Sequence, residues 1–326
     1  SSLLILGPRY FEEEINASAD VLLRYPRRSS QYLFVRAVRK LLKRFEPVLW
    51  EGDESKSLKV FELKQEIEED LDIISPPNKI EVIKDIDKMI KEIISKSLKL
   101  SSHINKKTIP IAQIRRIIYW SHLSHQNEKK IVIIENTDKM MDASRNALLK
   151  ILEEPPLNVY YILTATKKSK IIQTILSRLR PYYFPERDRE SQEEVLKKIF
   201  HEENSEYKDI KNYFLAWRNI NINTMDNISN EILDYICNDD QTVLFTELNE
   251  FQPVTSSTEN LKIFLEQFVK NMEKRLKECN EDRRIKPDII DKWLDIINQK
   301  LVSLELLNQN PSLVLESLLY RLKEVK

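Results

Sequence analysis

The stretch IVIIENTDKMMDASRNALLKILEEPPLNVYYILT, residues 131–164, decides the fold. It opens on Ile131, Val132, Ile133 and Ile134 and then turns polar. So short an unbroken β-branched run predicts a buried parallel strand. Residues 142–152 carry helical spacing and stop at Pro155-Pro156. Residues 159–164, VYYILT, predict a further buried strand. Strands alternating with helical segments predict an α/β layer with a parallel sheet.

Toward the N-terminus, LLIL (3–6) stops at Gly7-Pro8 and predicts a strand followed by a loop. Helices are expected at 11–24 and 31–44. Residues 46–59 hold Pro47, Gly52 and a charge cluster, and predict a loop or edge strand. Glu62, Glu66, Glu68, Glu69, Asp70 and Asp72 predict a solvated face. After Pro76-Pro77, Asn78 with Glu81 three positions on resembles a capping box. Ile83, Ile86, Ile90, Ile93 and Ile94 then mark one amphipathic helix, read as a packing helix, to about residue 100. Ile114, Ile117 and Ile118 mark another over 111–125.

Toward the C-terminus, no strand is expected after Pro185. Helical spacing recurs at 193–200, 208–217, 228–237, 257–279 and 287–307. Leu261, Phe264, Leu265, Phe268, Met272 and Leu276 are in phase on the fourth of these. The last helix starts at Asn310-Pro311, an N-cap with proline at the first helical position, and carries Leu315, Leu318, Leu319 and Leu322 inward.

The chain of 326 residues is long enough for about two domains, or three small ones. It has 52 basic and 52 acidic residues, which argues against binding nucleic acid through bulk positive charge. Only Gly7 and Gly52 occur, where average usage gives about 23 glycines. That scarcity disfavours glycine-rich phosphate loops. Cys237 and Cys279 form no CxxC, so a reduced, cytoplasmic setting is expected and a zinc site is not. His122 and His125 lack a partner at metal spacing, so no metal is expected. No apolar run reaches the length of a membrane span. The opening SSLLILGP lacks a Met, which suggests a trimmed or processed N-terminus.

A phosphate loop after the first strand needs glycines, a lysine for the phosphates and a Ser/Thr for Mg²⁺. Here the residues are GPRYFEEE, from Gly7, Pro8 and Arg9 to Glu14. Tyr10 and Phe11 crowd the space, and Glu12, Glu13 and Glu14 repel a triphosphate. A hydrolytic site also needs two carboxylates after the next strand; this chain offers Glu135 and the amide of Asn136. Asp138 reads as a turn residue. From Pro155 to Pro185 there is no acid, while Lys167, Lys168, Lys170, Arg178 and Arg180 are present. Two buried strands thinning out the acids is one reading; a surface meeting another molecule's phosphates is the other. Arg178 follows a short helical turn, where an arginine supplied in trans can stabilise a transferring phosphoryl group.

QIRRIIYW (113–120), KKIVIIENTDKM (129–140), SRNALLKILEEPPLNVYYILTAT (144–166) and TILSRLRP (174–181) resemble bacterial clamp-loader subunits of the AAA+ superfamily, the γ/τ and δ′ subunits of DNA polymerase III. FEPVLWEG (45–52) and QNPSLVLESLLYRL (309–322) agree more loosely. The resemblance implies a RecA-like AAA+ domain over 1–185 with a helical insertion at 60–105, a helical lid over 186–240 and a helical collar over 241–326. It makes Arg178, next to Ser177 and Leu179, an arginine finger aimed at a neighbour's ATP. It puts the sensor threonine on Thr166 and a degenerate ATP site on Gly7, Pro8, Arg9, Glu135 and Asn136. The family's four zinc cysteines are absent, Leu179 replaces its cysteine and Ile172 a usual proline.

The expectation is a non-catalytic δ′-like subunit with no cofactor of its own, in a hetero-pentameric ring with γ/τ and δ subunits. It would meet the sliding clamp and primed DNA indirectly. A γ/τ-type ATPase with an unusual site, or an AAA+-like scaffold outside replication, are the alternatives.

Overall fold

The structure is a computed structural model. It describes residues 2–6, 11–50, 54–78, 85–104, 108–123, 129–203, 207, 209–218, 220–237, 251–278, 287–306 and 309–325. These form two compact units, residues 1–217 and 218–326.

The first unit holds a three-stranded parallel sheet: β1 (Ser2–Leu6), β2 (Lys130–Ile134) and β3 (Val159–Leu163). β2 lies in the middle, with Ile131 opposite Leu3 on one side and Tyr160 on the other. Val132 and Ile134 pack on α3 (Pro47–Trp50), α6 (Ile111–His122) and α7 (Asp142–Glu153), with Leu49, Ile114, Ile117, Leu148 and Ile151 in the same cluster. The expectation that β3 is buried is corrected. Among the described residues it is an edge strand, and Tyr160 and Ile162 are about half exposed. The sheet is covered on the face of Val132, so an edge strand buries only alternate side chains.

A helical layer stands beside the sheet. α1 (Glu12–Arg24) and α2 (Arg28–Leu42) pack with α4 (Glu54–Ile74) and α5 (Ile86–Ser101) around Phe34, Leu41, Ile67, Leu71, Ile90 and Ile93. Two readings change here. Residues 46–59 form no edge strand: α3 occupies 47–50 and α4 begins at Glu54. Glu, Lys and Leu are good helix formers, so the charge cluster continues into a helix. Asn78 does not start the next helix. Its amide donates to the carbonyls of Asp72 and Ile73, at 3.1 and 3.0 Å, and closes the end of α4. Glu81, its expected partner, lies outside the described residues. The acidic run does face water, with Ile67, Leu71 and Ile74 on the opposite side of α4. Buried Gln31 ties α2 to that helix end, donating to the carbonyls of Ile74 (2.6 Å) and Asn78 (2.9 Å).

α8 (Gln173–Leu176) follows β3, and then come α9 (Arg189–Phe200) and α10 (Ile210–Ala216). Leu196, Phe200 and Tyr213 pack with Ala17 and Val21 of α1. Asp188 and Asp209 cap α9 and α10, each accepting a backbone N–H at 2.7 Å. Burial pushes the Tyr213 hydroxyl far above the ordinary tyrosine range.

The second unit is helical throughout its described residues: α11 (Ile222–Cys237), α12 (Gln252–Thr255), α13 (Thr258–Glu278), α14 (Pro287–Leu306) and α15 (Pro311–Glu324). Leu261, Phe264, Leu265, Phe268 and Met272 are buried, as their spacing predicts. Asn310 caps α15 by accepting the Ser312 N–H at 2.9 Å. Trp293, almost fully buried, donates its indole N–H to the carbonyl of Leu322 at 3.0 Å and joins α14 to α15.

Candidate functional site

In open parallel sheets, ligands bind beyond the carboxyl ends of the strands. β2 ends there at Glu135 and Asn136. Asn136 takes the left-handed conformation, φ 53°, which asparagine tolerates better than most residues. That turn lets the chain enter a short helical turn, Thr137–Lys139, pinned to the end of β3. Thr137 donates its N–H (2.9 Å) and its hydroxyl (3.0 Å) to the carbonyl of Thr164.

Glu135 is engaged from the helical layer. Its carboxylate pairs with the guanidinium of Arg44, which follows α2 and is 3% exposed, against 18% for the Glu135 side chain. Arg44 also lies over the ring of Phe11, 4.5 Å from its centroid. Trp50 stacks on Phe45 and donates its indole N–H to the Arg44 carbonyl at 3.0 Å, which fixes the backbone carrying the guanidinium. A carboxylate in that pair already faces a full positive charge. A divalent cation binding there meets Coulomb repulsion from the Arg44 guanidinium. Among the described residues no group of His, Cys, Asp and Glu is arranged to hold a metal ion.

Thr166 is at the same end of the sheet. Its backbone N–H and its hydroxyl donate to the two carboxylate oxygens of Asp138, at 3.2 and 3.0 Å. Asp138 is therefore a turn residue that also holds the chain after β3. Glu135, Asn136 and Thr166 thus gather where the sequence places them. Gly7, Pro8, Arg9 and Tyr10 lie outside the described residues. Beyond them, Phe11 is buried in the core and Glu14 pairs with Lys40. The expected run of repelling carboxylates is therefore reduced by an internal ion pair, and Phe11 fills the core.

The second group lies after α8. Ser177 donates its hydroxyl to the Thr174 carbonyl at 3.0 Å. Arg178 donates from Nη1 to the same carbonyl (2.6 Å) and to the Ser177 hydroxyl (3.3 Å), and from Nη2 to the carboxylate of Glu153, the last residue of α7. The side chains of Arg178 and Glu153 are 29% and 47% exposed. Lys167, Lys168 and Lys170 are exposed in the preceding turn. Arg180 sits over the exposed ring of Tyr182 at 5.6 Å.

Arg44, Thr164 and Glu153 were not legible as site residues. Arg44 is 91 positions from Glu135, and Glu153 is 25 from Arg178. No spacing rule links residues so far apart.

Two other polar groups brace the sheet. Buried Lys130 donates to the carbonyls of Trp120 (2.7 Å) and Leu123, and lies 4.8 Å from the Trp120 ring. Tyr161 donates to Ser121 at 2.6 Å, and burial raises its pKa despite that bond.

This parallel α/β unit matches a known family over residues 47–188, the one described as DNA polymerase III, delta subunit. The match takes in Glu135, Thr166 and Arg178, and covers less than half of the chain. The chain is 39% identical over 79 residues to the DNA polymerase III subunit delta′ of Haemophilus influenzae, a segment that is 24% of each chain. It is 37% identical over 59 residues to the gamma/tau subunit of Mycobacterium bovis, covering 18% of this chain and 10% of that one. It thus spans about a quarter or less of the length of these relatives. The resemblance to δ′ and γ/τ clamp-loader subunits read from the sequence holds over this segment. A crystal structure of a DNA polymerase III gamma subunit-related protein from Thermotoga maritima is similar at a TM-score of 0.36 and 19% identity, covering 67% of this chain and 80% of that one. No described helix is long and apolar enough to cross a membrane.

Proposed function

We propose that this chain is a non-catalytic, δ′-like subunit of a DNA polymerase III clamp loader, working in the cytoplasm. In this reading residues 1–185 are an AAA+ domain of RecA type, 186–240 its lid and 241–326 the collar that joins it to γ/τ and δ subunits in a five-membered ring. The ring loads a sliding clamp onto primed DNA, and this subunit binds no nucleotide of its own.

The observation that carries the reading is the Arg44–Glu135 pair. A hydrolytic site needs a carboxylate there for Mg²⁺ and a second to activate water. Here the first is held by a buried guanidinium, and the second position is Asn136, which cannot take a proton. Arg178, exposed and acid-free in its own sequence neighbourhood, is the side chain this reading assigns to the neighbour's phosphates.

Reconstitution with the γ/τ-type and δ-type subunits of the same cell tests it. Arg178→Ala is expected to lower turnover at the adjacent site by about 10³-fold, the lower end of an arginine finger's effect. Full clamp-stimulated ATPase in that variant removes the finger role. The isolated chain with ATP and Mg²⁺ is expected to show no turnover; hydrolysis at micromolar nucleotide makes it a γ/τ-type ATPase instead.

A further inference from the structure

We propose that Glu153 is the positioning residue for Arg178, its carboxylate aiming the guanidinium at a nucleotide phosphate of the neighbouring subunit while its charge weakens the pull on that phosphate. This rests on the reading of Arg178 as an arginine acting in trans.

Four observations meet at this pair. Arg178 has a long, flexible side chain, yet its guanidinium is held at both ends. Nη1 is fixed on its own turn by the Thr174 carbonyl and the Ser177 hydroxyl, and Nη2 reaches across to Glu153. A surface arginine so held is pre-organised, and less rotamer freedom is lost when a second anion arrives. The backbone of Glu153 is in turn set by α7, whose last residue it is before Pro155-Pro156.

The chemistry of the partner also fits. Carboxylate and phosphate both suit the guanidinium fork, and its five N–H donors leave room for a phosphate oxygen beside the contacts to Thr174, Ser177 and Glu153. The pair is open to solvent, with Arg178 29% and Glu153 47% exposed, so an incoming anion can reach it. Finally, Glu153 sits at the C-terminal end of a helix, where the backbone dipole disfavours a negative side chain. Stability of α7 alone does not account for a carboxylate there; the contact to Arg178 does.

Glu153 therefore has two separable effects. Its oxygen aims the guanidinium, and its charge competes with the phosphate. Glu153→Gln keeps an acceptor oxygen and removes the charge. Glu153→Ala removes both. The test is ATP turnover, as kcat and KM, by the full chain assembled with the γ/τ-type and δ-type subunits of its own cell. Glu153→Ala is expected to lower kcat by roughly tenfold to a hundredfold, as misplacement of a catalytic group does. Glu153→Gln is expected to keep kcat and to lower the KM for ATP by about two- to fivefold, the equilibrium equivalent of losing an exposed ion pair. Should Glu153→Ala not assemble, the KM shift of Glu153→Gln decides alone. If Arg178→Ala abolishes turnover at the site while both Glu153 variants keep wild-type kcat and KM, the positioning role is overturned and the finger stands. If Arg178→Ala leaves turnover unchanged, the finger itself falls, and the role of Glu153 with it.

Discussion

The Arg44–Glu135 and Arg178–Glu153 pairs join the same two side-chain types within one compact unit, but Arg44 is 3% exposed and Arg178 is 29% exposed. The difference is in what each pair can exchange with. Arg44 is enclosed by Phe11, Glu135 and the backbone of α2, so removing its partner leaves a charge that water reaches poorly. Arg178 loses little if Glu153 is replaced by another anion from solution or from a neighbour. One pair is committed to the fold, and the other is available to a partner.

The strongest way to break this comparison is at Arg44. Arg44→Ala strands Glu135 and is expected to lower stability by roughly 3 kcal/mol in urea denaturation. Arg44→Met with Glu135→Leu is expected to recover most of that loss. A single variant as stable as wild type would make both pairs equivalent and remove the contrast. Lys130 sharpens it by showing a buried cation held by backbone carbonyls and an aromatic ring. Lys130→Met forfeits the bonds to Trp120 and Leu123 that close α6, with an expected loss of about 1–2 kcal/mol.

Effects shrink at the surface. Asp209→Ala removes the α10 cap and is expected to destabilise by about 1 kcal/mol, read by thermal denaturation, with Asp209→Asn close to wild type. Lys96 joins α5 to Asp70 and Glu66 of α4. The Asp70 hydrogen bond foremost, with Glu66, raises its pKa against a smaller desolvation effect. A raised lysine contributes stability that is fully present below its unfolded pKa and lost as pH rises through its folded one. Lys96→Met is therefore expected to cost less than about 1 kcal/mol at neutral pH, and less in high salt. The gap from wild type should close in alkaline solution above the ordinary lysine range. A gap that instead widens there contradicts the pairing.

Much of this is legible in the amino-acid sequence. The β-branched run at 131–134 and the apolar positions of α5, α13 and α15 carry their periodicity within a few residues, and the structure shows those elements. The Asn310 cap was legible for the same reason, since its acceptor and donor are two residues apart. β3 was misread as buried because a strand's own residues do not say whether a neighbour lies beyond it. Asn78 was misread because the same amide can close the helix before it or open the one after it. At the candidate site, Glu135 and Asn136 were read from their place after a strand, and Thr166 from the resemblance. The partner Arg44, the contact of Asp138 with Thr166 and that of Glu153 with Arg178 were not.

The amino-acid sequence alone determined the three strands and most of the helices, the helical character of the described residues after Pro185, and that the residues after β2 are a glutamate and an amide. Those properties are local, set by backbone propensity, side-chain period and residue chemistry. Only the tertiary structure decided that Glu135 is held by Arg44 and that Glu153 holds Arg178. Side chains so far apart along the chain meet only where packing brings their elements together, and burial then sets two like pairs apart in their access to solvent.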